Sequence, residues 1–348
     1  MINGMENSIY ELKKNDFLSI SPNFKAFQYE ILQRWLSKGI FSFDEITNLP
    51  KQLIDILKDR YTSPLSSHVI KDDNDLSSTK LLISLKDSNT VECVLLHSEN
   101  NTLTACVSSE VGCSMKCEFC ATGTIGFKRK LMWYEIVEQF FHLKKLQGKI
   151  DRIVFMGMGE PLCNFDNVKK AIEYFKNDIG MSPRRITVST SGIVPGIKKL
   201  ADSNLGVKLA LSLVSSNNEI RRSLMSAARL YNLNDLKKAL VYYSKKENRR
   251  LALEYCLLSN VNMDKKSAEE LKEFTKGLVV SINLIPWNTL PYLPFKTPNE
   301  KEIKNFENML DKLKIPHTTR VSRGRKTSAA CGMLVATAKN LSRPSDSN

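Results

Sequence analysis

Apolar residues change their period along this chain. From Asn23 to about Arg60 the period is helical: Phe24, Phe27, Ile31, Leu32 and Trp35 share one face, Gly39 ends that helix, and FDEITNLPKQLIDILK adds a second amphipathic stretch. SSHVIKDDNDLSS is largely polar and reads as a loop. KLLISL and VECVLL, separated by the turn-rich KDSNT, read as a hairpin.

From Thr102 onward the pattern alternates. Strand-like runs at LTACVSS, RIVFMG, RRITVST, VKLALSL, RLALEYCLL, VVSINLIPW and HTTRVSR are separated by helix-length amphipathic segments. These segments run from Met132 to Leu146, Asn167 to Asn177, Asn234 to Lys246, Lys266 to Lys276 and Asn299 to Leu313. Such alternation predicts an α/β fold with a parallel sheet, either a β/α barrel or a doubly wound sheet. In both, the loops leaving the carboxyl ends of the strands carry the chemistry. The expected division is a helical region over residues 1–80, a hairpin extension over 81–101, the α/β unit over 102–337 and a polar tail over 338–348.

Composition changes this picture in two ways. The balance of 51 basic against 37 acidic side chains, net +14, suits a polyanionic partner, with nucleic acid first and an ordinary solvated basic surface as the rival. Residues 1–30 scatter charges among apolar positions, and no long uncharged apolar run follows, so no signal peptide or membrane span is expected. Eight cysteines in that setting suit a reducing cytoplasmic compartment, where a cluster of thiols means metal or redox chemistry.

The cluster is GCSMKCEFCATG, in which Cys113, Cys117 and Cys120 stand in C-x3-C-x2-C spacing. Structural zinc would need a distant fourth ligand, from His97, His142, His317 or Cys106, and no second C-x2-C knuckle is present. Chance clustering of buried thiols sits badly with Lys116 and Glu118 inside the loop. An iron–sulfur cubane held by three thiolates leaves one iron open, and an open position is what distinguishes a catalytic metal from a structural one. VFMGMGEPL, at the end of a later strand, offers glycines for close approach to a ligand and Glu160 as an acceptor for a cationic amine; a turn with an acidic helix cap explains it equally well. Cys106 and Cys331 (in SAACGML) read singly as buried small hydrophobes.

The cysteine spacing, with the aromatic Phe119 before its last cysteine, resembles the signature of the radical S-adenosylmethionine (SAM) superfamily. The wider set VECV, CVSSEVGCSMKCEFCATGTIGF, GMGEPL, RRITVSTSGIVP, LALSL, NLIPWN and AACG resembles, in order, the RlmN/Cfr family of RNA methyltransferases. The resemblance runs from about residue 20 to about residue 337, and Pro161 in GMGEP matches RlmN where Cfr has alanine.

The resemblance implies a partial (β/α)6 barrel with a small N-terminal helical domain that contacts RNA. It implies a [4Fe-4S] cluster on Cys113, Cys117 and Cys120, whose open iron chelates SAM, and two SAM per turnover. One SAM methylates Cys331; a radical from the second activates that methyl group for addition to adenine C2. Cys106 then releases the product by forming a disulfide with Cys331, and Glu92 acts as the base. The implied SAM contacts are Gly159, Glu160, Ser189, Ser212, Leu213, Val214 and Asn288. The implied substrates are adenine 2503 of 23S ribosomal RNA and adenine 37 of tRNA, with an electron donor such as flavodoxin and a monomeric enzyme; C8 methylation, as in Cfr, and a degenerate metal-containing RNA-binding protein are the rival readings.

The chain departs from the family pattern where SLHA becomes Ser212-Leu213-Val214-Ser215, where MPIN becomes MSAA (Met225–Ala228), and where DIDAACGQL becomes KTSAACGML (Lys326–Leu334). The first change leaves only a backbone contact at Val214. FKRK, SPRR and RVSRGRK are short basic clusters suited to RNA phosphates, each with a solvated surface as its rival.

Overall fold

A computed structural model of the chain describes residues 7–74, 77–98, 100–320 and 332–334. Three strands, β1 (His68–Asn74), β2 (Ser78–Ser84) and β3 (Thr90–His97), form an antiparallel meander, and β4 (Leu103–Cys106) continues it. A small hairpin of β5 (Glu110–Gly112) and β6 (Phe127–Lys130) brackets the cysteine loop. The remaining strands are β7 (Arg152–Phe155), β8 (Ile186–Thr190), β9 (Lys208–Ser212), β10 (Leu251–Leu257), β11 (Val280–Pro286) and β12 (His317–Thr319).

The main sheet has ten strands in the order β1-β2-β3-β4-β7-β8-β9-β10-β11-β12, parallel from β4 onward. Each parallel step is bridged by helix, because a parallel neighbour is reached only by crossing a face of the sheet. The crossover helices include Trp133–Gln147, Phe165–Asn177, Val194–Asp202, Leu233–Glu247, Lys265–Thr275 and Glu300–Lys312. Strand residues such as Ile153, Val188, Leu211, Leu253 and Leu284 are fully buried, as a sheet covered by helices requires. The result is an open barrel of six β/α crossovers. No helix among the described residues is long and apolar enough to cross a membrane.

The N-terminal helices Ala26–Lys38 and Lys51–Arg60 belong to the same apolar core as the barrel: Leu32, Leu36, Leu53 and Leu57 are continuous with Phe140 and Phe141. Gly39 caps the first helix at φ +83°, and a Cβ there would lie 2.2 Å from the Phe141 ring. Glycine is required on both counts, left-handed backbone and contact.

One expectation is corrected. SSHVIKDDNDLSS contains β1 rather than a loop, so the antiparallel extension begins at His68, ahead of the expected boundary at residue 81. It is an edge strand of the sheet. FKRK is strand β6. Its Arg129 is tied to Asp87 at 2.6 Å and Glu135 at 2.7 Å, and Lys128 donates to Asn89 at 3.1 Å, so these cations brace the hairpin. The tail beyond residue 334 lies outside the described residues, as does RVSRGRK after Arg320.

Candidate active site

The cysteine loop is a succession of tight turns leaving β5. Cys113 N–H donates to the Gly126 carbonyl at 3.0 Å, Cys117 N–H to Met115 at 3.0 Å and Cys120 N–H to Cys117 at 3.2 Å, after which the single turn Ala121–Thr124 closes the loop. The Cys113 thiol is buried and those of Cys117 and Cys120 are half-buried. Trp287, just after β11, donates its indole N–H to the Phe119 carbonyl at 2.8 Å. It thereby holds the loop against the end of the sheet and brings the neighbouring Asn288 there, buried at 5% exposure.

The donor set fits a cluster better than a lone ion. Burial pushes the Cys113 and Cys117 thiols up, and each is pushed further by Cys120. Adjacent thiolates in such a place need a strongly cationic partner. Among the described residues no group of three His, Cys, Asp or Glu side chains converges on a point for a single metal. A cubane, which takes one thiolate per iron, asks for wider spacing. The candidate zinc partners are occupied elsewhere: His142 contacts Ser67, His317 lies on β12 against the Ile315 carbonyl, and His97 ends β3.

Two buried carboxylates lock the loops together. Glu110, on β5, accepts from Ser114 N–H at 3.0 Å, beside Cys113, and from Glu160 N–H at 3.1 Å. Gly159 lies on Glu110 so closely that a Cβ would come within 2.6 Å of the Glu110 Cβ, with φ at +98°. Close approach at the GMGEP loop is therefore to the chain's own β5. Glu160 accepts from Ser191 N–H at 2.7 Å, Ser191 Oγ at 2.8 Å and Leu162 N–H at 3.1 Å. Burial pushes its pKa up, and these donors, with the Thr190 hydroxyl, pull it back. A carboxylate has about four acceptor positions. An incoming ammonium group finds room only where the Thr190 or Ser191 hydroxyl rotates away.

Ser189 and Ser212 are half-buried on β8 and at the end of β9. Leu213 and Val214 are 0% and 1% exposed, so the first has no surface to offer a ligand in this conformation. Val214 has φ +60°, and Ser215 N–H donates across it to the Leu213 carbonyl at 2.7 Å. This is the rare positive-φ γ-turn, strained in any residue and most of all in a β-branched one. Asn262 Nδ2 secures it from the next loop, donating to the Val214 carbonyl at 2.7 Å. Sequence reasoning missed Glu110, Asn262 and the buried Arg221; Glu110 sits inside a quoted motif but as one acidic residue in a strand it carries no signal of its own.

Below the loops a lumen of about 1030 Å³ runs along the concave face of the sheet. Cys106, Val154, Met156 and Leu334 line it, and at the strands' starting ends Arg152, Arg184, Arg185, Lys208 and Arg250 ring it. None of these five cations forms an ion pair with a carboxylate among the described residues, and the Lys208 ammonium is pushed down by burial and by Arg152 and Arg249. Glu92 is not among the residues lining the lumen; it is buried on β3, ion-paired with Lys80 at 3.1 Å. Cys331 lies outside the described residues, but its neighbours do not: the Gly332 carbonyl accepts from Ala121 N–H at 2.8 Å and the Leu334 carbonyl from Thr122 Oγ1 at 2.8 Å.

Residues 107–271 match the radical SAM superfamily, whose members use a [4Fe-4S] cluster and SAM. The chain is 43% identical over 331 residues to a probable dual-specificity RNA methyltransferase RlmN of Treponema denticola, covering 94% of each. It is 38% identical over 351 residues to the dual-specificity RNA methyltransferase RlmN of Nitratiruptor, covering 94% of this chain and 97% of that one. A crystal structure of a radical SAM methyltransferase from Sphaerobacter thermophilus superposes with TM-score 0.89 at 34% identity, over 95% of this chain and all of that one. With its cysteine loop, open barrel and carboxylate-locked GMGEP turn, the chain belongs to the RlmN family of radical SAM methyltransferases.

Proposed function

We propose that the protein methylates C2 of adenine in RNA, at adenine 2503 of 23S ribosomal RNA and at adenine 37 of tRNA, through a methylated Cys331. The lumen carries this reading. It joins a ring of cations, without carboxylate partners among the described residues, to Cys106, and its wall includes Leu334, three residues beyond Cys331. Phosphates are held at a cationic rim, and a base must leave its stack to enter such a cavity.

Cys113, Cys117 and Cys120 would hold the cluster, with Glu160, Ser189, Ser212 and Asn288 around SAM and Gly159 shaping the turn. The pair supplies a methyl group and a hydrogen-abstracting radical when bound. The chain's own residues do the rest. The Cys331 sulfur carries the methyl group to the base; C2 of adenine is no nucleophile, so direct displacement fails there. The Cys106 thiol, in the lumen wall, then attacks the Cys331 sulfur of the protein–RNA thioether: the S–S bond forms as the bond from sulfur to the methylene carbon breaks, and that electron pair takes up a proton to complete the methyl group on C2. Glu92 takes the C2 proton, which requires its carboxylate to leave Lys80 or to act with Lys80 as charge partner. The N-terminal helices supply further RNA contacts, the enzyme works as a cytoplasmic monomer, and a flavodoxin-like donor reduces the cluster.

Anaerobic reconstitution followed by mass spectrometry of nucleosides from treated RNA tests the reading. 2-Methyladenosine is expected. 8-Methyladenosine would reassign the position, and a chain that takes zinc and cleaves no SAM would not be an enzyme of this kind.

A further inference from the structure

Arg221 is the largest fully buried side chain among the described residues, at 1% exposure. It sits in the helix Asn218–Leu224, which packs on the cysteine loop: Glu118 N–H donates to the Leu224 carbonyl at 3.0 Å, and Leu224 and Met225 share an apolar cluster with Ala121, Cys117 and Phe119. Its guanidinium reaches back across the strand ends. Nε donates to the Leu213 carbonyl at 3.1 Å, and Nη2 to the Ser191 carbonyl at 2.5 Å and the Ser212 carbonyl at 3.5 Å. All three acceptors are neutral. Nη1 is buried and has no partner among the described residues.

A buried cation with no anion beside it is expensive, because its lost hydration goes uncompensated until an opposite charge arrives. The helix that carries Arg221 packs on the loop of Cys117, so the charge nearest to hand is the one that loop acquires when its thiols ionise. Three carbonyls fix the guanidinium, so its charge cannot swing away to solvent. The missing anion is therefore the loaded cysteine loop.

We propose that Arg221 is a positioning residue for the iron–sulfur cluster, placing a fixed positive charge behind the loop that carries Cys117. This rests on reading Cys113, Cys117 and Cys120 as cluster ligands. A fixed cation nearby stabilises the reduced, more negative state, so Arg221 raises the reduction potential.

The test is an EPR-monitored redox titration of anaerobically reconstituted protein without SAM, comparing wild type, R221M and R221K. R221M should hold full iron and sulfide and shift its reduction equilibrium at least tenfold toward the oxidised form, about 59 mV for one electron. R221K, which keeps the charge and loses the fork, should fall between the two. An unshifted potential in fully loaded R221M would sink this proposal and leave the cluster reading standing. So would an R221K that matches R221M, because that marks a packing role. If R221M cannot be loaded, an R221K that loads at near wild-type potential supports the charge role, and one that also fails to load overturns it. A wild-type chain that assembles no cluster overturns both readings.

Discussion

The Thr122 hydroxyl donates to the Leu334 carbonyl at 2.8 Å, joining residues 212 positions apart in the sequence. With the Ala121–Gly332 bond it pins the segment after Cys331 to the turn that follows Cys120. Thr122→Val keeps the shape and leaves the carbonyl unsatisfied, at a cost of about 1–3 kcal/mol. We expect a lower Tm and a lower methylation rate, with cluster absorbance unchanged; an unaltered rate would show that the pin does not position Cys331.

Cys331→Ala should abolish turnover while leaving the iron–sulfur spectrum intact. Cys106→Ala should instead trap a covalent protein–RNA adduct, seen as a nuclease-sensitive band on a denaturing gel. Free product from Cys106→Ala would refute its role.

The cationic ring of the lumen is expected to act through phosphates. Arg185→Ala and Lys208→Ala should each weaken RNA binding about equally for all sequences and lower the slope of log affinity against log salt by about 0.7. Filter binding across a salt series measures this. An unchanged slope would mean that the ring faces something other than RNA.

Lys80 and Glu92 form a buried pair at 3.1 Å. Removing one partner of such a pair typically costs about 3–5 kcal/mol, because the other is left buried and uncompensated. Lys80→Met is expected to lose much of that range in urea unfolding, whereas Lys80→Met with Glu92→Leu should recover most of the loss. Failure of the double variant to recover would place the energy outside the pair.

The junction between the linker after Tyr61 and the helix Trp133–Gln147 should respond to pH. Glu138 accepts from Ser66 Oγ at 2.9 Å, Ser67 N–H at 2.9 Å and Ser67 Oγ, and His142 contacts the same Ser67 hydroxyl at 3.1 Å. Burial raises the Glu138 pKa from 4.5 to about 7 and lowers that of His142 from 6.5 to about 4. Glu138 therefore contributes stability that is full below pH 4.5 and lost as pH rises through 7. His142 contributes stability that is full above pH 6.5 and lost as pH falls through 4. The two slopes oppose each other between these limits. Glu138→Gln removes one, so its unfolding free energy relative to wild type should climb between pH 4.5 and 7. A flat difference would contradict the assignment.

Much of the candidate site was legible because its signals are local. Three cysteines at fixed spacing, and GMGEP at the end of a strand, stand out within a few residues. Arg221 and Glu110 do not, since what makes each of them unusual is burial, and burial is set by chain segments far away in sequence. FKRK shows the same limit from the other side: its letters do not say that Asp87 and Glu135 arrive to neutralise Arg129. β1 was hidden because the lysine and aspartates of an edge strand imitate a loop. The valine at position 214 was legible as a departure, yet what replaced the lost side chain, a strained turn held by Asn262, belongs to the backbone and left no trace in the letters.

Gly39 meets the Phe141 ring with room for a hydrogen atom and nothing larger. The consequence is one of modularity. The N-terminal helices look like a cassette that could be exchanged between family members, but one corner at which they are seated on the barrel has a clearance smaller than a methyl group. A chimaera would keep its two halves in register only if the grafted piece brought a glycine to that corner, so the region that appears most portable is constrained by its smallest residue.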